Sequence, residues 1–147
     1  MRCSKTYVVD TNIFLEVMLS RNRKDECKRF LGMLRDGRVS GIVTDFSVYS
    51  LMVLLGKLNR YKELKIFLTS LTGYRGLRVH QTSLAESIKA VELAENEKLD
   101  IDDAIQYAVA LSTGAEAIVS FDKDFDGLKL PRVEPAHILR LHGKAGK

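Results

Sequence analysis

Carboxylates stand where short apolar runs of this chain end. Asp10 follows Tyr7-Val8-Val9 directly, Asp122 and Asp124 come just after Ala117-Ile118-Val119, and Asp102-Asp103 open a helical stretch. Asp side chains offer only oxygen, which suits hard divalent cations such as Mg²⁺ or Mn²⁺. Several acids converging at one pole repel one another, and without a cation some are driven towards protonation. Each acid also has a plainer reading. Asp10 could cap the helix that follows it. Asp102 could cap its own helix, with Asp103 merely favouring the dipole, and Asp122 and Asp124 could be solvated turn residues.

The elements that would position these acids are legible as hydrophobic periodicity. Brief β-favouring runs predict strands over 7–9, 39–43, 77–80 and 117–119, with a short last one near 132–133. Helical spacing recurs from Ile13 to Met18 and predicts helices over 24–35, 46–58, 61–71, 83–97 and 102–113. Ser83 with Glu86 three residues later is a capping-box pattern, and Gly114 is a helix stop. Strands alternating with single or paired helices are the signature of an α/β fold with a parallel sheet covered on both faces. In such sheets ligands bind at the carboxyl ends of strands, near the topological switch point, which is where the acids fall.

A chain of 147 residues fits one domain, expected over 1–142, with 143–147 as a polar tail. The hydrophobic share of 46% and charged share of 29% are those of an ordinary soluble protein, and the formal charge of +4 is compatible with a polyanionic partner. Cys3 and Cys27 make neither a disulfide framework nor a C-x-x-C zinc pair. His80, His137 and His142 are scattered and form no zinc or triad motif. No apolar stretch approaches the roughly 20 residues of a membrane span. The N-terminus lacks the apolar core of a signal peptide. The expectation is a cytoplasmic protein with no membrane association. There is no G-x-G-x-x-G and no P-loop, which argues against a nucleotide-binding enzyme. A phospho-acceptor receiver would want an acidic pair after the first strand, where this chain has a single Asp10 followed by Thr11-Asn12.

Asp10-Thr11-Asn12 after a first strand resembles the opening of PIN domains. The stretch from Asp103-Ala104-Ile105 through Gly114 to Ser120-Phe121-Asp122-Lys123-Asp124-Phe125 resembles their close, and the likeness runs from Tyr7 to about Leu139. It implies a PIN-like three-layer fold, a short central parallel sheet with helices on both faces. It also implies an endonuclease that hydrolyses RNA with Mg²⁺ or Mn²⁺, commonly a toxin of the VapC kind neutralised by a small antitoxin protein, and commonly a homodimer. The resemblance gives Asp10, Asp103 and Asp122 the catalytic and metal-holding roles and makes Asp124 an auxiliary acid. Ser120 stands where the family usually has Thr and keeps its hydroxyl. One departure matters: the family's Glu in the helix after the second strand aligns with Ser50. Asp45 is a substitute for it or an N-cap; Glu16 is a second candidate or an exposed helix residue. If the loss silences catalysis, the chain becomes a PIN-like module that only binds RNA or a protein partner. Two geometric expectations follow. The carboxylates of Asp10, Asp103 and Asp122 should share one cation, within roughly 10 Å of one another, and Ser50 should face them. Arg21, Arg23, Lys24 and Lys123 are candidates for phosphate contacts around the rim.

Overall fold

In the computed structural model, which describes residues 5–143, strands and helices alternate along the chain. They run β1 (Thr6–Val9), α1 (Thr11–Met18), α2 (Lys24–Arg35), β2 (Ser40–Thr44), α3 (Asp45–Lys57), α4 (Tyr61–Leu71), β3 (Leu77–His80), α5 (Leu84–Glu97), α6 (Ile101–Thr113), β4 (Ala117–Val119), β5 (Arg132–Val133) and α7 (Pro135–Gly143). A single 3₁₀ turn, Lys123–Phe125, lies between β4 and β5. The five strands form one sheet in the order β3-β2-β1-β4-β5, and every pairing is parallel.

The layers follow from the period of two along a strand, which sends neighbouring side chains to opposite faces. Tyr7 and Val9 of β1 point into a core shared with Phe14, Phe30, Leu34, Leu51, Leu55 and Phe67, contributed by α1, α2, α3 and α4. Val8, Ile42 and Ile118 point the other way, into a core shared with Ala90 of α5 and with Ala104, Ala108 and Val109 of α6. Burial on both sides is why the strands read as continuous apolar runs rather than alternating ones. The small side chains of α6 let that helix lie close to the sheet, so its first turn reaches the carboxyl ends of β1 and β4. Gly114 closes α6 in the left-handed conformation, φ 69°, which a Cβ would disfavour.

The elements expected from the sequence are present, with shifted ends. Helix α1 begins at Thr11 and α3 at Asp45, immediately after their strands. Helix α7 was not foreseen as a helix, and it runs through Gly143, one residue into the expected tail; residues 144–147 lie outside the described residues. Cys3 also lies outside them, while Cys27 is fully buried in the α2 core, as a small apolar residue would be. No described helix is long and apolar enough to cross a membrane.

Candidate metal centre

The strand order reverses between β1 and β4, the two strands that meet at the middle of the sheet. Val9 and Val119 are in register, so Asp10 and Ser120 leave the sheet side by side. Asp10 occupies the N-cap position of α1 with extended backbone, yet its carboxylate makes no capping hydrogen bond; of the influences on its pKa the Asn12 backbone N–H, which lowers it, is the smallest. The carboxylate is instead held from the site side. The Ser120 hydroxyl donates to Oδ2 at 2.6 Å and the Gln106 amide donates to Oδ1 at 3.1 Å. The Ser120 oxygen in turn accepts from the Asp122 backbone N–H at 2.9 Å. Asp10 is 2% exposed, and burial pushes its pKa up, with the Asp122 charge adding to it against the bonds from Ser120 and Gln106.

Helix α6 brings its first turn to this point. The cap is Asp100, whose side chain accepts from the Asp103 N–H at 2.9 Å. That frees Asp102 and Asp103 from the capping duty considered for Asp102. Burial raises Asp103 to about 8, and the charges of Asp100, Asp10, Asp122 and Asp102 add to the effect. Burial likewise raises Asp102 to about 6, with Asp10 the next cause. Gln106, fully buried one turn along, leans its amide towards both Asp10 and Asp102, at 3.1 and 3.5 Å, and its Oε1 has no partner among the described residues.

The third arm is the segment after β4. Asp122 caps the 3₁₀ turn, accepting from the Asp124 N–H at 2.9 Å. Carboxylate oxygens of Asp103, Asp122 and Asp124 all lie within 4.8 Å of one another. Among the described residues, neither these three nor Asp10 and Asp102 form an ion pair with Lys, Arg or His. An all-oxygen donor set of this spacing, buried on one side and open on the other, fits a hard divalent cation, which would relieve the repulsion that raises Asp103.

Asp103, Asp122 and Asp124 therefore come together, with Asp10 coupled to them but outside that close group. Asp45 is not part of it. It accepts from the Thr82 hydroxyl at 2.6 Å, from the Thr82 N–H at 3.2 Å and from the Phe46 N–H at 2.8 Å, so it pins the β3–α5 turn to α3. Nor does it cap α3, because Thr44 does that, accepting from the Ser47 N–H. Glu16 accepts from the Arg23 N–H at 2.8 Å. Ser50 is half-buried and borders an apolar hollow of about 400 Å³ with Phe46, Tyr49, Val53, Leu54 and Lys57. Of the basic candidates, Arg23 is taken up by Glu26 and Glu134 and lies 4.2 Å over the Phe121 ring; Arg21, Lys24 and Lys123 are exposed. Sequence reasoning missed Asp102 and Gln106 as members of the site. Their i, i+4 spacing on one helix face was the available signal.

Residues 7–129 match the family model described as PIN domain. No curated protein matches the sequence. Among solved structures, the chain is similar to Mycobacterium tuberculosis VapC20, described as a Sarcin-Ricin loop cleaving toxin, with 18% identity over 88% of this chain and 99% of that one and a TM-score of 0.71. A toxin-antitoxin complex from Klebsiella pneumoniae gives 22% identity, coverage of 88% and 97%, and a TM-score of 0.64. VapBC2 from Rickettsia felis, bound to a DNA fragment from its promoter, gives 19%, 88% and 98%, and 0.65. At these identities the likeness to solved structures speaks for the fold.

Proposed function

The chain belongs to the PIN-domain family, and from that premise and the arrangement of its acids we propose that it is a divalent-metal-dependent ribonuclease. One observation carries the reading: oxygens of Asp103, Asp122 and Asp124 within 4.8 Å of one another, none of the three in an ion pair with a described Lys, Arg or His. Those three residues would hold Mg²⁺ or Mn²⁺, with Asp10 beside them. The cation, when bound, lowers the pKa of water and offsets charge on a phosphodiester. The chain's own residues do the rest. Ser120 and Gln106 fix the two oxygens of Asp10, so that its orientation is set before any ligand arrives. Asp100 ties down the first turn of α6 and thereby the backbone of Asp103. Exposed Lys123, Arg21 and Lys24 stand on neighbouring segments as sites for flanking phosphates.

Without the cation the cluster repels a polyanion, so metal dependence is built into the electrostatics of this reading. The absent family Glu at Ser50 weakens the donor set, and Asp45 does not replace it, being committed to Thr82. Slow cleavage is the expected result. The test is purified protein incubated with single-stranded and structured RNAs, with Mn²⁺, with Mg²⁺ and with EDTA. Cleavage that needs metal and vanishes in Asp103→Asn supports the reading; no metal-dependent cleavage of any RNA, with Mn²⁺ bound or not, favours a silent binding module.

A second reading concerns partners. The solved relatives include toxin-antitoxin complexes. On this chain Phe46, Tyr49, Val53 and Leu54 leave an apolar strip of α3 uncovered, Tyr49 being 63% and Val53 58% exposed. Such a strip favours a protein partner, an antitoxin or a second copy in a homodimer. Light scattering of the purified chain, alone and co-expressed with its genomic neighbour, separates the two. In this reading the protein acts in the cytoplasm, where RNA is at hand.

A further inference from the structure

The two acids that complete the candidate centre lie on a short irregular segment. Between Ser120 and Asp126 the only regular structure is one 3₁₀ turn, Lys123–Phe125. Asp122 is half-buried and Asp124 exposed, so packing does not fix their carboxylates, and the local bonds, Asp122 N–H to Ser120 Oγ and Asp124 N–H to Asp122 Oδ1, lie within the segment. Phe125 is buried in the core on the α6 side and Ser120 is held by Asp10 and by the Val133 carbonyl, so the exposed part of the segment depends on how its two ends are joined.

One side chain bonds to both ends of the segment. Arg132 lies on β5, paired in parallel with Ile118 of β4. Its guanidinium donates from Nη1 to the Ser120 carbonyl at 3.0 Å, where the acidic segment begins. It also donates from Nε and Nη2 to the two Asp126 oxygens at 2.7 and 3.4 Å, where the segment ends. Nη1 also reaches Glu134 Oε2 at 3.0 Å, and Glu134 is bonded to Arg23, whose guanidinium covers Phe121. The Arg132 side chain is 13% exposed, its partner Asp126 51%. A pair so open on one side adds little to global stability. What the rigid fork supplies is geometry: planar donors aimed at two points a fixed distance apart.

We infer that Arg132 is the positioning residue of the acidic segment, joining Ser120 to Asp126 so that Asp122 and Asp124 are presented to Asp103. The inference rests on the reading of Asp122 and Asp124 as cation ligands for its functional consequence, but its structural content does not. It also has a sign that a purely electrostatic role does not share. Removing a positive charge beside an acidic cluster should tighten cation binding by Coulomb's law alone, whereas loosening the segment should weaken it.

The test uses the full chain with Arg132→Met, Arg132→Lys and, in case the β5 variants fail to fold, Asp126→Ala, which opens the far end of the clamp without touching the sheet. Amide hydrogen exchange by NMR on the metal-free protein is the deciding readout. The Asp122 and Asp124 amides should exchange at least about tenfold faster in each variant, while Val109 in the middle of α6 keeps its wild-type protection. Arg132→Lys keeps the charge but loses the fork, and should not restore protection. Titration with Mn²⁺ should show binding weakened severalfold in Arg132→Met. Unchanged exchange at Asp122 and Asp124, or equal acceleration at Val109, overturns the inference whatever the metal does; so does tighter Mn²⁺ binding. If the wild-type protein binds no Mn²⁺, the nuclease reading fails and the exchange rates alone decide this one.

Discussion

Glu86 and Asp103 are about equally hidden, at 9% and 7% exposure, yet Glu86 has a pKa held down at about 2 and Asp103 one pushed up to about 8. Burial works against the charge in both. At Glu86 it is outweighed by donors: the Ser112 hydroxyl, the Ser83 N–H at 2.8 Å in the capping box, and His80 Nε2 at 3.0 Å from each oxygen. At Asp103 nothing outweighs it, because the neighbours are Asp100, Asp10, Asp122 and Asp102. One corner of the molecule buries a carboxylate and satisfies it; the other buries a carboxylate among its own kind. A satisfied acid is a structural part. A set of unsatisfied acids, stable only by protonation or by a cation, marks a place where a ligand belongs.

Breaking each corner should therefore have opposite consequences. The largest expected effect is on activity. Asp103→Asn should reduce metal-dependent RNA cleavage by about 100-fold or more, while the metal-free protein melts no lower than wild type, since a like-charge conflict has been removed. Steady-state cleavage and a thermal melt on the same preparation check both halves, and a variant that cleaves normally would falsify the catalytic assignment. Asp10→Asn should behave alike, because Asn can still face Ser120 and Gln106 but brings no charge.

The mirror-image change is Glu86→Gln. It leaves the acidic centre untouched and removes a charge that three donors were satisfying, so folding stability should fall by about 1–2 kcal/mol, read from urea unfolding. Cleavage per folded molecule should stay the same. Lost cleavage with intact stability would mean that the two corners had been assigned the wrong way round.

Titration sharpens the contrast, because the two acids act on opposite limbs of the stability profile. A carboxylate whose folded pKa is lowered contributes stability above its unfolded value, lost as pH falls; for Glu86 that window runs from its ordinary 4.5 down to about 2. A carboxylate whose folded pKa is raised binds its proton more tightly folded than unfolded, so its contribution is lost as pH rises. For Asp103 that window runs from 3.8 up to about 8, with Asp102 acting up to about 6. Metal-free protein should lose about 1–2 kcal/mol between pH 5 and pH 8. Asp103→Asn or saturating Mg²⁺ should flatten that limb, and Glu86→Gln should flatten only the acid limb. Melting temperatures taken across pH 3–9 show which limb each change moves.

The smallest effect concerns the position that departs from the family pattern. Ser50→Glu should strengthen Mn²⁺ binding severalfold by calorimetry if Ser50 stands where the family has its Glu. Because Ser50 also borders the apolar hollow with Phe46 and Leu54, unchanged binding in a folded Ser50→Glu protein would place that position on the partner-facing side of α3 rather than at the centre.

Local physics is what the sequence could determine. Short apolar runs, a capping box at Ser83 and a stop at Gly114 depend on neighbours in the chain, so strands, helices and their order were readable, and with them the carboxyl-edge placement of Asp10, Asp103 and Asp122. Tertiary structure decided which acids share a charge environment. Asp10 looked like a helix cap, and sits in the cap position, but Ser120 and Gln106, far along the chain, take its oxygens. Asp45 looked like a spare ligand until Thr82, 37 residues away, claimed it. Asp102 looked like a cap until Asp100 filled that role, leaving it beside Asp10. A carboxylate's partner is whatever donor the fold brings within about 3 Å, and no spacing along the chain records that distance.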